Sequence, residues 1–130
     1  MRQFQNLLGL LAGAILVLSS AAHSLLGWKQ MQQSLAAVQA PADLVQGLEM
    51  GWLFGGVAIL TFGVVALAVF ANAFRGRTVS LLPTGIIAFA YVTFGTWALL
   101  RTGDPFFYIF IVPGALLGLA SIPPLRREMV

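Results

Sequence analysis

The chain has 130 residues, 59% hydrophobic and 8% charged, with seven basic and four acidic side chains and a mean hydropathy of +0.92. A soluble domain carries roughly 25% charged residues, so this composition excludes an ordinary soluble fold and points to a chain solvated largely by lipid. Cysteine is absent, which excludes disulfides and thiol chemistry, and the small, scattered positive excess reads as a topology signal rather than a nucleic-acid surface.

The first predicted span covers residues 7–28 and ends in "SSAAHSLLGW", which holds the single histidine, His23. Gly9 and Gly13 form a small-residue pair suited to close helix packing. Arg2, the apolar run from Leu7 to Leu18 and the small residues Ser19 to Ala21 also outline a signal peptide. Apolar sequence continues to Trp28, which favours a retained span. In a regular helix His23 lies about 7 Å deeper than Trp28.

The stretch "KQMQQSLAAVQAPADLVQGLE" is rich in good helix formers. Met31, Leu35 and Val38 fall at helical spacing, as do Leu44, Val45 and Leu48. We expect two helical extensions above the membrane that meet near Ala40–Pro41, with Pro41 in the first turn of the second.

The second predicted span, residues 50–74, follows Glu49, which complements the helix dipole. Gly51 and Gly55 form a second small-residue pair, extended by Gly56 and Gly63. With Trp28 and Trp52 at one level, Glu49 sits on the watery side, and His23 and Glu49 start on the order of 12 Å apart.

A short turn around Arg75 and Arg77 leads to the third span, residues 79–100, with Pro83 inside it as a bend. Asn72 and Tyr91 are single polar groups expected to cross-link helices. The turn Arg101-Thr102-Gly103-Asp104-Pro105 follows, with Arg101 and Asp104 expected to pair. The fourth span, residues 106–122, is the shortest; it carries Pro113 and a third glycine pair, Gly114 and Gly118.

Five positive residues, Arg2, Arg75, Arg77, Arg126 and Arg127, fall on one side and two, Lys29 and Arg101, on the other. The positive-inside rule then places both termini in the cytoplasm. The expected fold is all-α: one domain over residues 1–130, an integral membrane antiparallel four-helix bundle with helical extramembrane extensions of helices 1 and 2. A bacterial inner membrane is the expected location.

An ionisable residue within a span usually faces protein or a wet cavity. His23, Trp28, Glu49, Trp52 and Trp97 therefore form the candidate ligand site. The bland reading of His23 is a neutral interfacial imidazole bonded to a backbone carbonyl or to Ser19. No catalytic constellation, metal site or cofactor is assigned: the lone His23 has only outer-side acids, Asp43, Glu49 and Asp104, as companions.

Four spans, a long first outer loop, "AAHSLLGW" closing span one and "LEMGWLFGGVAIL" opening span two give a pattern that resembles the DoxX-like group of small four-helix bacterial membrane proteins. That resemblance implies an accessory membrane protein and carries over no functional residue. The expected function is a non-enzymatic accessory or scaffold subunit of a larger membrane complex or homo-oligomer. The alternative is a binder or carrier of a small lipophilic molecule, a lipid or quinone, near the outer leaflet. A membrane enzyme using His23 and Glu49 ranks third.

Overall fold

The computed structural model describes residues 2–123, and within them all regular structure is helical. Arg126 and Arg127, counted above in the charge balance, lie outside the described residues. Helix α1 is continuous over Arg2–Ala37, α2 covers Ala42–Phe74, α3 Leu82–Thr102 and α4 Tyr108–Ala120. A 3-10 turn, Pro105–Phe107, leads into α4. Helices α1, α2 and α3 are each long and apolar enough to cross a membrane. Helix α4 has 13 residues and spans about 20 Å.

The helix ends follow local chemistry. Gln39 takes a left-handed conformation, φ 51°. Its N–H donates to the Ala36 carbonyl, and the Ala40 N–H donates to the Leu35 carbonyl. This Schellman closure satisfies carbonyls that the end of α1 would otherwise leave open. Pro41 then precedes α2 at the capping position, one residue before its expected place, and its carbonyl accepts from Val45. Gly76, φ 79°, closes α2 in the same way, with Gly76 bonded to Ala73 and Arg77 to Asn72.

Three expectations about polar and proline residues are corrected here. Pro83 is not an internal kink: α3 begins at Leu82, so Pro83 stands in its first turn, where the missing N–H removes no ladder bond. Asn72 does not bridge helices. It donates to the Ala68 carbonyl of its own helix and accepts from Arg77. The Asp104 carboxylate caps the turn into α4 by accepting from Phe106 N–H, rather than serving the expected partner Arg101.

Helix α1 packs chiefly on α2 and also on α4, and α4 packs on α3. Early residues of α1 meet late residues of α2. Gly9 abuts Phe70, Gly13 abuts Leu67 and Gly63 abuts Val17. The same inverse order relates α3 to α4, where Gly114 meets Tyr91 and Val92, and Gly95 meets Phe110 and Ile111. Each glycine sits where a side chain would collide, so the helix backbones approach closely and dispersion does the holding. Gly118 is looser, its nearest neighbour being Ala88 at 3.7 Å. Gly51 departs from expectation: nothing lies within 4 Å of where its side chain would be. The helix turns by about 100° per residue, so the packed stripe on α2 runs instead through Gly55, Gly56 and Gly63.

The core joins all four helices through Ala12, Leu16, Ala66, Phe70, Ile87, Tyr91 and Leu117. At one end, fully buried Thr84 donates to the Leu81 carbonyl and accepts from Ser121, which ties the start of α3 to the end of α4.

Candidate functional site

The chain around His23 is not a regular helix. Residues His23–Gly27 form a single π-helical turn, closed by the Trp28 N–H donating to the His23 carbonyl. Such i→i+5 turns absorb one extra residue within an α-helix and occur often at functional sites. In an unbroken α-helix Trp28 would point about 140° away from His23. The wider turn brings Trp28 round toward the same face, where it is buried with its ring 6.5 Å from that of Trp52.

His23 and Trp52 hold each other twice. The Trp52 indole Nε1 donates to the His23 carbonyl at 2.8 Å, and the His23 Nε2 lies 3.1 Å from the Trp52 carbonyl. Their rings stack in parallel, with centroids 4.5 Å apart and planes within 1°. Glycines make both bonds accessible. A helical carbonyl is flanked by the side chains three and four residues later, because it points toward them along the axis. Four residues after His23 stands Gly27, where a side chain would lie 2.9 Å from Trp52 Cζ2. Three and four residues after Trp52 stand Gly55 and Gly56; a side chain at Gly55 would lie 3.2 Å from His23 Nε2, and one at Gly56 would collide with Ser24. Ser20, one turn below His23, donates to the Gly56 carbonyl at 2.8 Å. Ser20, His23, Ser24 and Gly27 thus form one face against Trp52, Gly55 and Gly56.

Beside this clasp lies a cavity of about 530 Å³, within the range of small-ligand sites. Ser19, Ala22, His23 and Gln30 line it from α1, and Trp52 and Ile59 from α2. Tyr91, Phe94, Phe106, Phe107 and Phe110 close it from the α3–α4 side. Tyr91 is wedged edge-on to Phe62 and against Phe110, and Phe94 packs edge-on to Phe107 and Phe110. The wall is apolar and aromatic with few polar atoms, which suits a lipophilic molecule carrying one or two polar groups.

Of the five candidate residues, the structure gathers His23, Trp28 and Trp52. Of these only His23 and Trp52 line the cavity; Trp28 stands beside Trp52, and neither Glu49 nor Trp97 is part of the wall. Trp97 is 61% exposed and rests beside Phe94. The residues that sequence reading left out are Tyr91, Phe94, Phe107 and Phe110, together with Ser20 and Gly27. A signal for the last existed: "HSLLG" and "WLFGG" each place a glycine one turn after the residue whose carbonyl is used.

Among the described residues, no group of three or more acid, histidine or cysteine side chains stands close enough to hold a metal ion. A second cavity, about 380 Å³, lies at the opposite end, lined by Arg2, Gln5, Asn6, Arg77 and Thr78 among others. No family model matches the chain, and neither a curated protein nor a solved structure matches it. The DoxX-like resemblance expected from the sequence therefore finds no support in these comparisons and brings no residue role or activity to this site.

Proposed function

We propose that this chain is an integral membrane protein, an antiparallel four-helix bundle, that binds a small lipophilic molecule in the cavity beside His23. The observation that carries the reading is that cavity: ligand-sized, walled by aromatic rings, and bordered by an imidazole held in place by Trp52. The membrane assignment draws on the outer surface. Leu18, Phe54, Phe89 and Leu100 are 71%, 73%, 74% and 81% exposed, an apolar coat that water would not tolerate on a monomer. The short α4 reaches across with its preceding 3-10 turn and modest local thinning of the bilayer. Arg2, Arg75 and Arg77 gather at the end away from the cavity, so the positive-inside rule sets that end in the cytoplasm and the His23 cavity in the outer leaflet.

The test is native mass spectrometry of the protein released gently from its own membrane, for wild type and for Ala22→Phe. Ala22 lines the cavity, and a phenyl ring there occupies it. The expected result is a bound small molecule on the wild type that the variant lacks. Equal, non-specific lipid on both overturns the reading.

A specific observation favours a second role, as an accessory or scaffold subunit. Gly47 and Gly51, one turn apart on α2, both face open space. A small-residue pair of this spacing suits close approach of another helix. A protein partner at fixed stoichiometry in the same spectra, lost in Gly51→Leu, supports that role.

A further inference from the structure

The clasp decides which hydrogen-bonding groups His23 has left to offer. A carbonyl oxygen only accepts, so the contact between His23 Nε2 and the Trp52 carbonyl at 3.1 Å requires a proton on Nε2. In the neutral imidazole that leaves Nδ1 as a lone-pair acceptor without a proton. The Nε2 edge of the ring faces α2 at Gly55, and one ring face is covered by Trp52. Nδ1 has no partner among the described residues. None of their buried side-chain nitrogens or oxygens is left without one, so Nδ1 is an accessible acceptor on a residue that lines the cavity.

From this we propose that the cavity selects an aromatic hydroxyl compound, a phenol-class molecule, whose O–H donates to His23 Nδ1 while its ring packs against Tyr91, Phe94, Phe107 and Phe110. The proposal rests on the binding role given above and narrows its ligand class. The aromatic wall favours a flat ring through offset and edge-on contacts. A carbonyl, ester or ether oxygen brings only acceptors, and an acceptor facing the Nδ1 lone pair gains no bond there. The site thus discriminates by the sign of one hydrogen bond rather than by size. Such a distinction is sharpest against an apolar wall, where the mismatched pair leaves both groups unsatisfied.

The experiment uses the full chain in lipid nanodiscs with two probes of nearly equal shape, 2-naphthol and 2-methoxynaphthalene. Binding is read from tryptophan quenching, with empty nanodiscs as the partition control. The expected result is saturable binding of naphthol, with the methoxy compound weaker by about tenfold, the loss of one hydrogen bond against an apolar wall. His23→Phe keeps a ring against Trp52 and removes the acceptor, so the preference disappears.

Nitrogen-15 spectra of the unmutated histidine read the same bond without any variant. Nδ1 appears as the unprotonated nitrogen, and its resonance moves when naphthol binds. Equal binding of the two probes overturns the hydroxyl assignment while leaving the cavity as a binding site. Binding of neither above the nanodisc control overturns the binding role itself. A preference that survives in His23→Phe, or an Nδ1 found protonated, removes His23 as the acceptor.

Discussion

His23 and Trp52 exchange hydrogen bonds across the α1–α2 interface, each using its side chain to reach the other's backbone carbonyl, while their rings stack in parallel. Side chain and backbone of both residues are engaged, so neither helix can rotate or slide without breaking both bonds. In the membrane setting proposed above, where helices gain little from leaving the solvent, such bonds and close packing set the register.

A double-mutant cycle measures that coupling. Each hydrogen bond runs from a side chain to a backbone carbonyl and is lost in its own single variant, so the coupling reports the stacked pair, worth about 0.5–1.5 kcal/mol. His23→Leu and Trp52→Leu are expected to be non-additive by about 0.5–1.5 kcal/mol in reversible unfolding in mixed micelles. Additive losses would mean that the two residues contribute independently.

Glycine substitutions separate packing positions from bystanders. Gly56→Ala sets a methyl group onto Ser24 and displaces the hydroxyls that face α2, and an overpacked core site costs about 1–3 kcal/mol. Gly51→Ala meets nothing and gains up to about 1 kcal/mol of helix propensity. Thermal denaturation in detergent reads both. A Gly51→Ala variant as damaged as Gly56→Ala would contradict the packing described here.

Gln39 holds the left-handed position that ends α1. That conformation costs a residue with a β-carbon about 1–2 kcal/mol, offset in part by the extra unfolded-state freedom of glycine. Gln39→Gly is therefore expected to stabilise the protein by a few tenths to about 1 kcal/mol. A drop in melting temperature on this change would argue against the Schellman closure.

At the opposite end, Thr84 is fully buried and bonded to both Leu81 and Ser121. Thr84→Val keeps the shape and removes the hydroxyl, at an expected cost of about 1–2 kcal/mol. Thr84→Ser keeps the bonds and is expected to lose less. Pro83→Ala, one residue earlier, is expected to change stability little, because Pro83 occupies the first turn of α3. Comparing the three melting temperatures checks the whole assignment.

Much of the chain was legible without coordinates. The helical hairpin at Ala40–Pro41 follows from good helix formers broken by one proline, and the turns at Gly76 and Gly103 follow from residues that accept positive φ. Pro83 was misjudged because an apolar run gives no sign of where its first helical hydrogen bond forms, and Val79 to Leu81 are apolar or neutral without being helical. Asn72 was misjudged because its own helix and Arg77 offered nearer partners than a neighbouring helix did.

Residue order alone points to an all-helical chain with four apolar spans, because helix formation and hydropathy are set by neighbouring residues; three of the helices are long and apolar enough to span a bilayer, and the fourth falls short. Only the tertiary structure decided that His23 meets Trp52 rather than Glu49, that Gly55 and Gly56 pack while Gly51 does not, and that Tyr91 and four nearby phenylalanines wall the cavity. The physical reason is rotation. Which face a helix turns to its neighbour depends on steps of about 100° per residue, and the five-residue π turn at His23–Gly27, which takes in one extra residue, resets that phase through a backbone bond that no local pattern announces.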